Sequence, residues 1–162
     1  MGDRFMEMHD AFMRRAIELA RAGMKAGDGG PFGAVVVRDG QIVGEGANRV
    51  LAHNDPTAHG EIVAIRDAAK RLGTYDLDGC VLYTTGQPCP MCLGAIYWAH
   101  IQTVYFGFSI VDAGTVGFND AVIFNEFALP PEKRRVNCRP LLTDEAMILL
   151  KEFEFLPNRP QY

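Results

Sequence analysis

The sequence predicts an α/β protein in which helices flank a mixed β-sheet. The chain has 162 residues, of which 48% are hydrophobic and 22% charged, and segments with strand and helix patterns alternate along it. A chain of this length and composition can bury a core without disulfide bonds. We therefore expect residues 1–162 to form one domain.

The first elements are predicted to be a helix and a hairpin. Apolar residues recur at helical spacing between Phe5 and Ala20, which indicates an amphipathic helix that ends in the glycine-rich turn at residues 27–31. Two β-branched runs then flank Asp39-Gly40, a dipeptide that tolerates the positive φ angles of a tight turn. Two antiparallel strands should follow the helix.

The middle of the chain is predicted to alternate between helix and strand. Thr57 is expected to cap a helix that carries His59 and Glu61 near its start. Residues 80–84 are β-branched and aromatic enough for a buried strand, and Pro90 marks the start of the next helix.

The last elements follow the same alternation. Residues 103–108 read as a strand, residues 114–120 as a glycine-containing loop, and residues 121–127 as a short helix. A final helix over residues 143–155 is expected to be capped by Thr143.

A candidate metal centre is formed by His59, Cys89 and Cys92. One imidazole and two thiolates give zinc three ligands and leave a fourth tetrahedral position open for water, as a catalytic site requires. Cys89 and Cys92 are spaced i, i+3 on a first helical turn, so both sulfurs face one side. The helix N-terminus there also stabilises thiolates.

Glu61 is the candidate proton carrier. It lies two residues after His59 and points to a different azimuth on its helix, so it can approach zinc-bound water without coordinating the ion. Zinc lowers the pKa of its water from about 16 to about 7, which supplies hydroxide as a nucleophile at neutral pH. Glu61 would collect the displaced proton and return it later in the reaction.

Three other interpretations of the motif remain open at this point. Structural zinc sites usually have four protein ligands, and no fourth ligand stands at a short, regular spacing. An accidental C-x-x-C is disfavoured by the joint occurrence of both motifs. An inactive zinc-binding scaffold is disfavoured by the intact Glu61.

His59-Gly60-Glu61 with Pro88-Cys89-Pro90-Met91-Cys92 matches the H-x-E…P-C-x-x-C signature of zinc nucleobase deaminases. Within the cytidine deaminase-like superfamily, residues 30–36, 54–59, 89–99 and 113–120 resemble bacterial guanine deaminases, as does the terminal Tyr162. The resemblance implies a three-layer cytidine deaminase-like fold, with a central mixed sheet of about five strands flanked by helices on both faces.

The same resemblance implies roles for further residues. Asn48 and the backbone near Gly60 would hydrogen-bond a purine, Asp120 would meet the protonated edge of its ring, and Tyr162 would close the pocket. Attack would fall on C2 of guanine and give xanthine and ammonia. Without the resemblance, Asn48 would be assigned to a turn, Asp120 to a helix cap and Tyr162 to a frayed end.

The resemblance also implies a homodimer, in which residues 130–162 are exchanged between subunits and Tyr162 reaches the partner's site. Two positions depart from the family pattern. Gly60 stands where alanine is usual, and Gln87 stands where a glutamate is common. Both departures concern substrate preference more than the chemistry.

Composition limits the partners. A net charge of −4 disfavours nucleic acid and favours a small-molecule purine base. A tRNA adenosine deaminase, which shares the motif, remains the alternative although the net charge disfavours it. Deaminases of adenine, cytosine or amino-triazines are further alternatives. No apolar run suits a membrane span or signal peptide, and reduced cysteines indicate the cytoplasm. We expect Phe32 and Trp98 in the core and Cys138 at least half-buried.

Overall fold

The computed structural model describes residues 2–161, with side chains from Met6 onward. The chain forms two compact units that meet in sequence between Phe124 and Asn125. The first unit contains α1 (Gly2–Ala26), β1 (Gly33–Arg38), β2 (Gln41–Ala47), α2 (Val50–His53), α3 (Gly60–Leu72), β3 (Val81–Gly86), α4 (Pro90–Trp98), β4 (Thr103–Phe108) and α5 (Ile110–Gly114). It is followed by α6 (Ala121–Ala128), a short 3-10 helix (Pro131–Lys133) and α7 (Thr143–Glu154).

The sheet is mixed, as predicted, with strand order β2-β1-β3-β4. β1 is antiparallel to β2 and β3, and β4 is parallel to β3. The expectation of about five strands is wrong, because the described residues form a 4-stranded sheet. The segment at 134–142 has no regular structure and contains Pro140, which cannot donate a hydrogen bond to a ladder.

Helices cover both faces of the sheet, which confirms the three-layer prediction. Alternate residues of β1 point to opposite sides. Ala34 and Val36 pack in a core cluster with residues of α3 and α4. Val35 and Val37 belong to a second cluster that includes Phe12 of α1.

The hairpin between β1 and β2 has the predicted turn. Asp39 and Gly40 have φ angles of 51° and 73°, the pair of positive values that a two-residue turn of this type requires. The turn pairs Arg38 with Gln41 and Val37 with Ile42, and an irregularity between Val36 and Val37 then shifts the register by one residue, so that Val35 lies opposite Glu45.

Two predicted helix caps are wrong. The residue at the start of α3 is His59, while Thr57 lies in a preceding turn where its amide and hydroxyl donate to Asp55 Oδ1 at 2.8 and 2.7 Å. Thr143 is the first residue of α7, because Leu142, in a left-handed conformation, occupies the N-cap position. In both cases a hydrogen-bonding side chain lies within two residues of the cap position but does not occupy it.

Helix α3 approaches β2 closely because glycines line the strand. A Cβ atom on Gly46 would lie 2.3 Å from the carbonyl oxygen of Gly60 and 2.4 Å from the amide nitrogen of Ala64. A Cβ on Gly44 would lie 2.5 Å from the Ala64 oxygen. The absence of side chains at these two positions sets the height of the first turns of α3 above the sheet.

Other features differ from the sequence interpretation. The short helices α2 and α5 were not predicted; α5 is fixed by a capping box between Ser109 and Asp112. Trp98 is 70% exposed and Cys138 is exposed, so neither lies in the core of the chain. None of the described helices is long and apolar enough to cross a membrane.

The second unit is held by local contacts. Arg134 Nε donates to the carbonyl of Leu129 at 2.9 Å, and the Arg135 amide donates to Glu126 Oε2 at 2.7 Å. No described side chain between residues 125 and 161 is buried. Helix α7 exposes several large apolar residues, namely Met147, Ile148, Leu149, Leu150 and Phe153.

Candidate active site

Two helix starts bring the predicted metal ligands together. His59 stands at the N-cap position of α3, and Cys89 stands at the N-cap position of α4. Pro90 begins α4 without a free amide, and the Cys92 amide donates to Cys89 Sγ at 3.5 Å. Cys89 therefore precedes the first turn, one residue earlier than predicted, while both sulfurs still face one side.

The distances among these side chains fit a zinc ion. His59 Nδ1 is 3.6 Å from Cys89 Sγ and 3.6 Å from Cys92 Sγ. Zinc–sulfur bonds of about 2.3 Å and zinc–nitrogen bonds of about 2.0–2.1 Å at a tetrahedral angle place nitrogen and sulfur about 3.6 Å apart. Among the described residues, this group of ligand atoms within 4.8 Å contains only these three, which leaves a fourth position open.

The two thiols shift each other's pKa in opposite directions. A hydrogen bond from the Cys92 thiol lowers the pKa of Cys89 to about 4. The same pairing with Cys89, together with burial, raises the pKa of Cys92. The hydrogen bond to Cys89 also raises the pKa of His59. Since zinc binds deprotonated ligands, its binding must release protons from this group.

Glu61 lies in the first turn of α3 and is 3% exposed. Its carboxylate is not part of the group of ligand atoms, in agreement with a role other than coordination. Burial raises the pKa of Glu61. A carboxyl group with a raised pKa holds a proton more readily than an ordinary glutamate, which suits a group that takes up and returns a proton.

The ligands open onto a cavity of about 440 Å³. Its walls come from the loop before β1, the segment around α2, the starts of α3 and α4, and the loop before α6. The lining residues are Gly29, Gly30, Phe32, Asn48, Val50, Leu51, Pro56, His59, Glu61, Gln87, Cys89, Phe118 and Asp120. The structure thus brings Asn48 and Asp120, two of the predicted substrate contacts, into the cavity with the metal ligands.

Asn48 holds a turn and also lies at the wall of the cavity. Its Oδ1 accepts a hydrogen bond from the Val50 amide at 3.1 Å, so it does hold a turn. It is also only 5% exposed and lines the cavity. Because its oxygen is engaged, the Nδ2 amide protons are the groups left to donate to a substrate.

Asp120 immediately precedes α6 and faces the cavity. Its carbonyl accepts from the amides of Ile123 and Phe124 at 3.0 and 3.3 Å, so its main chain begins the helix. Burial, followed by the nearby Cys89 charge, raises the pKa of the Asp120 carboxyl. An acceptor in this position suits an N–H group of a ligand.

Two aromatic residues of the cavity were missed. Phe32, assigned to the core from sequence, and Phe118 form an edge-to-face pair with centroids 4.8 Å apart. A Cβ on Gly30 would lie 2.7 Å from the Phe118 ring, so glycine leaves room for that ring. The signal in the sequence was the placement of Phe118 between Gly117 and polar residues in a loop, where an apolar side chain has no core to enter.

The remaining predicted positions have different outcomes. Gln87 lines the cavity, and its Oε1 accepts from the Ile110 amide at 3.3 Å. Gly60 is buried but does not line the cavity; a Cβ there would lie 3.0 Å from the Phe32 carbonyl oxygen rather than beside the ligands. Tyr162 lies outside the described residues, so its predicted role stays a prediction.

Comparison with known proteins identifies a shared zinc-binding region. The family model of the cytidine and deoxycytidylate deaminase zinc-binding region matches residues 6–108. This range contains β1 to β4 and all three candidate ligands.

Individual relatives extend the similarity over the rest of the chain. The guanine deaminase of Bacillus subtilis (strain 168) is 46% identical over 154 residues, which cover 95% of this chain and 99% of the relative. The X-ray structure of guanine deaminase from Bacillus subtilis superposes with a TM-score of 0.91 at 46% identity and covers 95% of this chain and 98% of that one. A tRNA-specific adenosine deaminase of Haemophilus influenzae is 43% identical over 112 residues, or 68% of this chain and 64% of the relative.

Proposed function

Because the chain belongs to the cytidine and deoxycytidylate deaminase family, we propose that it is a zinc-dependent hydrolase that converts guanine and water into xanthine and ammonia. The observation that carries the choice of guanine is the similarity to the Bacillus subtilis guanine deaminase. That similarity covers 95% of this chain and therefore includes the residues that follow the zinc-binding region.

The reacting end of the cavity contains the ligands and Glu61. His59, Cys89 and Cys92 would hold a zinc ion, which would supply the Lewis acidity that makes water nucleophilic at neutral pH. Glu61 takes up the proton of the attacking water. The same carboxyl then donates a proton to the C2 amino group, so that the C2–N bond breaks and ammonia leaves. Its burial keeps the proton from bulk water between the two transfers.

The remaining polar groups recognise the ring. Asn48 donates from Nδ2 to an acceptor atom of the purine, since its oxygen is bound to the Val50 amide. Asp120 accepts from ring N–H groups, and Tyr162 adds a further contact. Phe118 and Phe32 form an aromatic wall against which a flat ring can pack.

Purified zinc-loaded protein should be tested with guanine, adenine, cytosine, an amino-triazine and tRNA in parallel. We expect xanthine and ammonia in equal amounts from guanine, with kcat/KM at least tenfold above that for any other substrate. A preference for adenine, cytosine or tRNA would overturn the choice of guanine while leaving deamination intact.

The second candidate is deamination of adenosine in tRNA, which the Haemophilus influenzae relative favours. The net charge of −4 disfavours it, because an anticodon loop needs basic side chains along its phosphates. Inosine formation in tRNA at a rate above guanine turnover would establish this alternative.

We also propose that the chain acts as a homodimer whose residues 130–162 are exchanged, so that Tyr162 closes the partner's cavity. The support is the exposure of the apolar residues of α7, which leaves a surface suited to a second copy. Equilibrium sedimentation should give a dimer. Removal of the last residues should lower kcat/KM and leave zinc content unchanged; unchanged kinetics would contradict pocket closure.

The free thiols of the chain agree with action in the cytoplasm.

A further inference from the structure

An ion pair beside the cavity joins two of the segments that line it. Arg49 Nη1 lies 2.7 Å from Asp28 Oδ2, and the two side chains are 43% and 17% exposed. Asp28 directly precedes the cavity-lining Gly29, and Arg49 directly follows the cavity-lining Asn48. The pair therefore ties the loop before β1 to the segment that begins α2.

The main chain of Asp28 strengthens this connection. Its carbonyl accepts hydrogen bonds from the amides of Leu51 and Ala52 at 3.0 and 3.2 Å. Its own amide donates to the carbonyl of Gly23 at 3.0 Å, near the end of α1. Asp28 thus holds the start of α2 through its backbone, holds Arg49 through its side chain, and is itself attached to a long helix.

The side chain of Asn48 lies between these two segments. A Cβ atom on Gly29 would be only 2.0 Å from Asn48 Oδ1, so the amide lies directly against the backbone of that residue. On its other side the same oxygen accepts from the Val50 amide. Any movement between residues 28–29 and 49–50 changes the place where the Asn48 amide rests.

We propose that Asp28 and Arg49 are positioning residues, which hold the Nδ2 group of Asn48 in the orientation that binds the substrate. The proposal rests on the proposed function, because it assigns Asn48 to recognition of the purine. Loosening Asn48 weakens an interaction made with the bound substrate and the transition state alike, so KM should rise while kcat changes little.

The kinetic test compares full-length zinc-loaded Asp28→Asn with the wild type on guanine. We expect KM to rise about threefold to tenfold, which lies in the lower part of the range of coupling between contacting residues, with kcat within about twofold. The matched control is Glu45→Gln, since Arg15 Nε and Glu45 Oε1 are also 2.7 Å apart and 42% and 25% exposed, but neither residue adjoins a cavity-lining residue in the sequence. An equal effect of the two variants would overturn the proposal.

Two further variants separate positioning from a general loss of structure. Arg49→Met, which removes the positive charge, should raise KM. Arg49→Lys, which keeps the charge, should have a KM close to that of the wild type. In an Asn48→Ala background, Asp28→Asn should change KM by less than about twofold, because the residue through which it acts is gone. Full additivity in that background would contradict action through Asn48.

Hydrogen exchange gives a readout that does not depend on turnover. In Asp28→Asn the amides of Val50, Leu51 and Ala52 should exchange at least about threefold faster than in the wild type, and in Glu45→Gln they should not. Unchanged exchange would overturn the proposal. A wild type that does not turn over guanine would instead overturn the proposed function, and the exchange rates would still decide whether this ion pair holds Asn48.

Discussion

The close approach of α3 to β2 leads to a prediction about Gly46→Ala. The new methyl group would lie 2.3 Å from the Gly60 oxygen and 2.4 Å from the Ala64 nitrogen, about 1 Å short of an ordinary contact. Both atoms belong to the backbone, so no side chain can rotate away, and the first turn of α3 must move. Overpacking of this kind costs about 1–3 kcal/mol.

The same movement should weaken zinc binding. His59 begins α3, and its Nδ1 lies at the 3.6 Å from both sulfurs that a tetrahedral ion requires. A displacement of about 1 Å spoils that geometry, and we expect zinc affinity to fall about tenfold to a hundredfold, as when groups that orient ligands are altered. The melting temperature should fall by about 2–12 °C for a domain of this size.

Zinc titration against a chromogenic chelator and thermal unfolding are the assays. The control is Gly94→Ala in α4, because a Cβ there has no atom within 4 Å and alanine favours a helix by up to about 1 kcal/mol. It should keep or raise the melting temperature and keep zinc affinity. A Gly46→Ala protein with wild-type stability and zinc affinity would refute the argument that close packing of α3 places His59.

Further predictions concern proton transfer and pH. Glu61→Gln should keep its zinc and lose about 10²–10⁴-fold in kcat, and an unchanged kcat would remove its role as proton carrier. Zinc affinity should fall as the pH is lowered from 8 to 5.5, because zinc must displace protons from Cys92 and His59, whose pKa values are raised in the metal-free protein; a pH-independent affinity would contradict this. Burial raises the pKa of Tyr83 from 10.0 to about 12, so the neutral phenol stabilises the fold below about pH 10 and this contribution is lost as the pH rises towards 12. Between pH 10 and pH 12 the free energy of unfolding, measured in urea, should therefore fall less for Tyr83→Phe than for the wild type. An equal fall in both proteins would contradict the raised pKa of Tyr83.

Local signals in the sequence identified most elements that position the site. The Asp39-Gly40 turn, the apolar runs of β1 and β3 and the proline at the start of α4 each depend on a few neighbouring residues. The metal ligands were identified from the H-x-E…P-C-x-x-C signature, and the chemistry of zinc explains why its residue types suit a metal site.

What the sequence did not reveal depends on contacts between distant segments. His59 rather than Thr57 caps α3, because the Thr57 hydroxyl donates to Asp55 in the preceding turn. Phe32 lies in the cavity wall, where its ring packs against Phe118 from a loop far along the chain. The expected fifth strand came from resemblance alone, and no local pattern supported it.

The most direct measurement of the central claim is the reaction of guanine with the zinc-loaded protein in water enriched in ¹⁸O. Hydrolytic attack at C2 places one solvent oxygen in the product and releases the amino nitrogen. Mass spectrometry should therefore find xanthine with a single ¹⁸O atom, together with one ammonia per xanthine, and both products should form about 10²–10⁴-fold more slowly with Glu61→Gln. Absence of labelled xanthine from an active, zinc-loaded preparation would contradict the account.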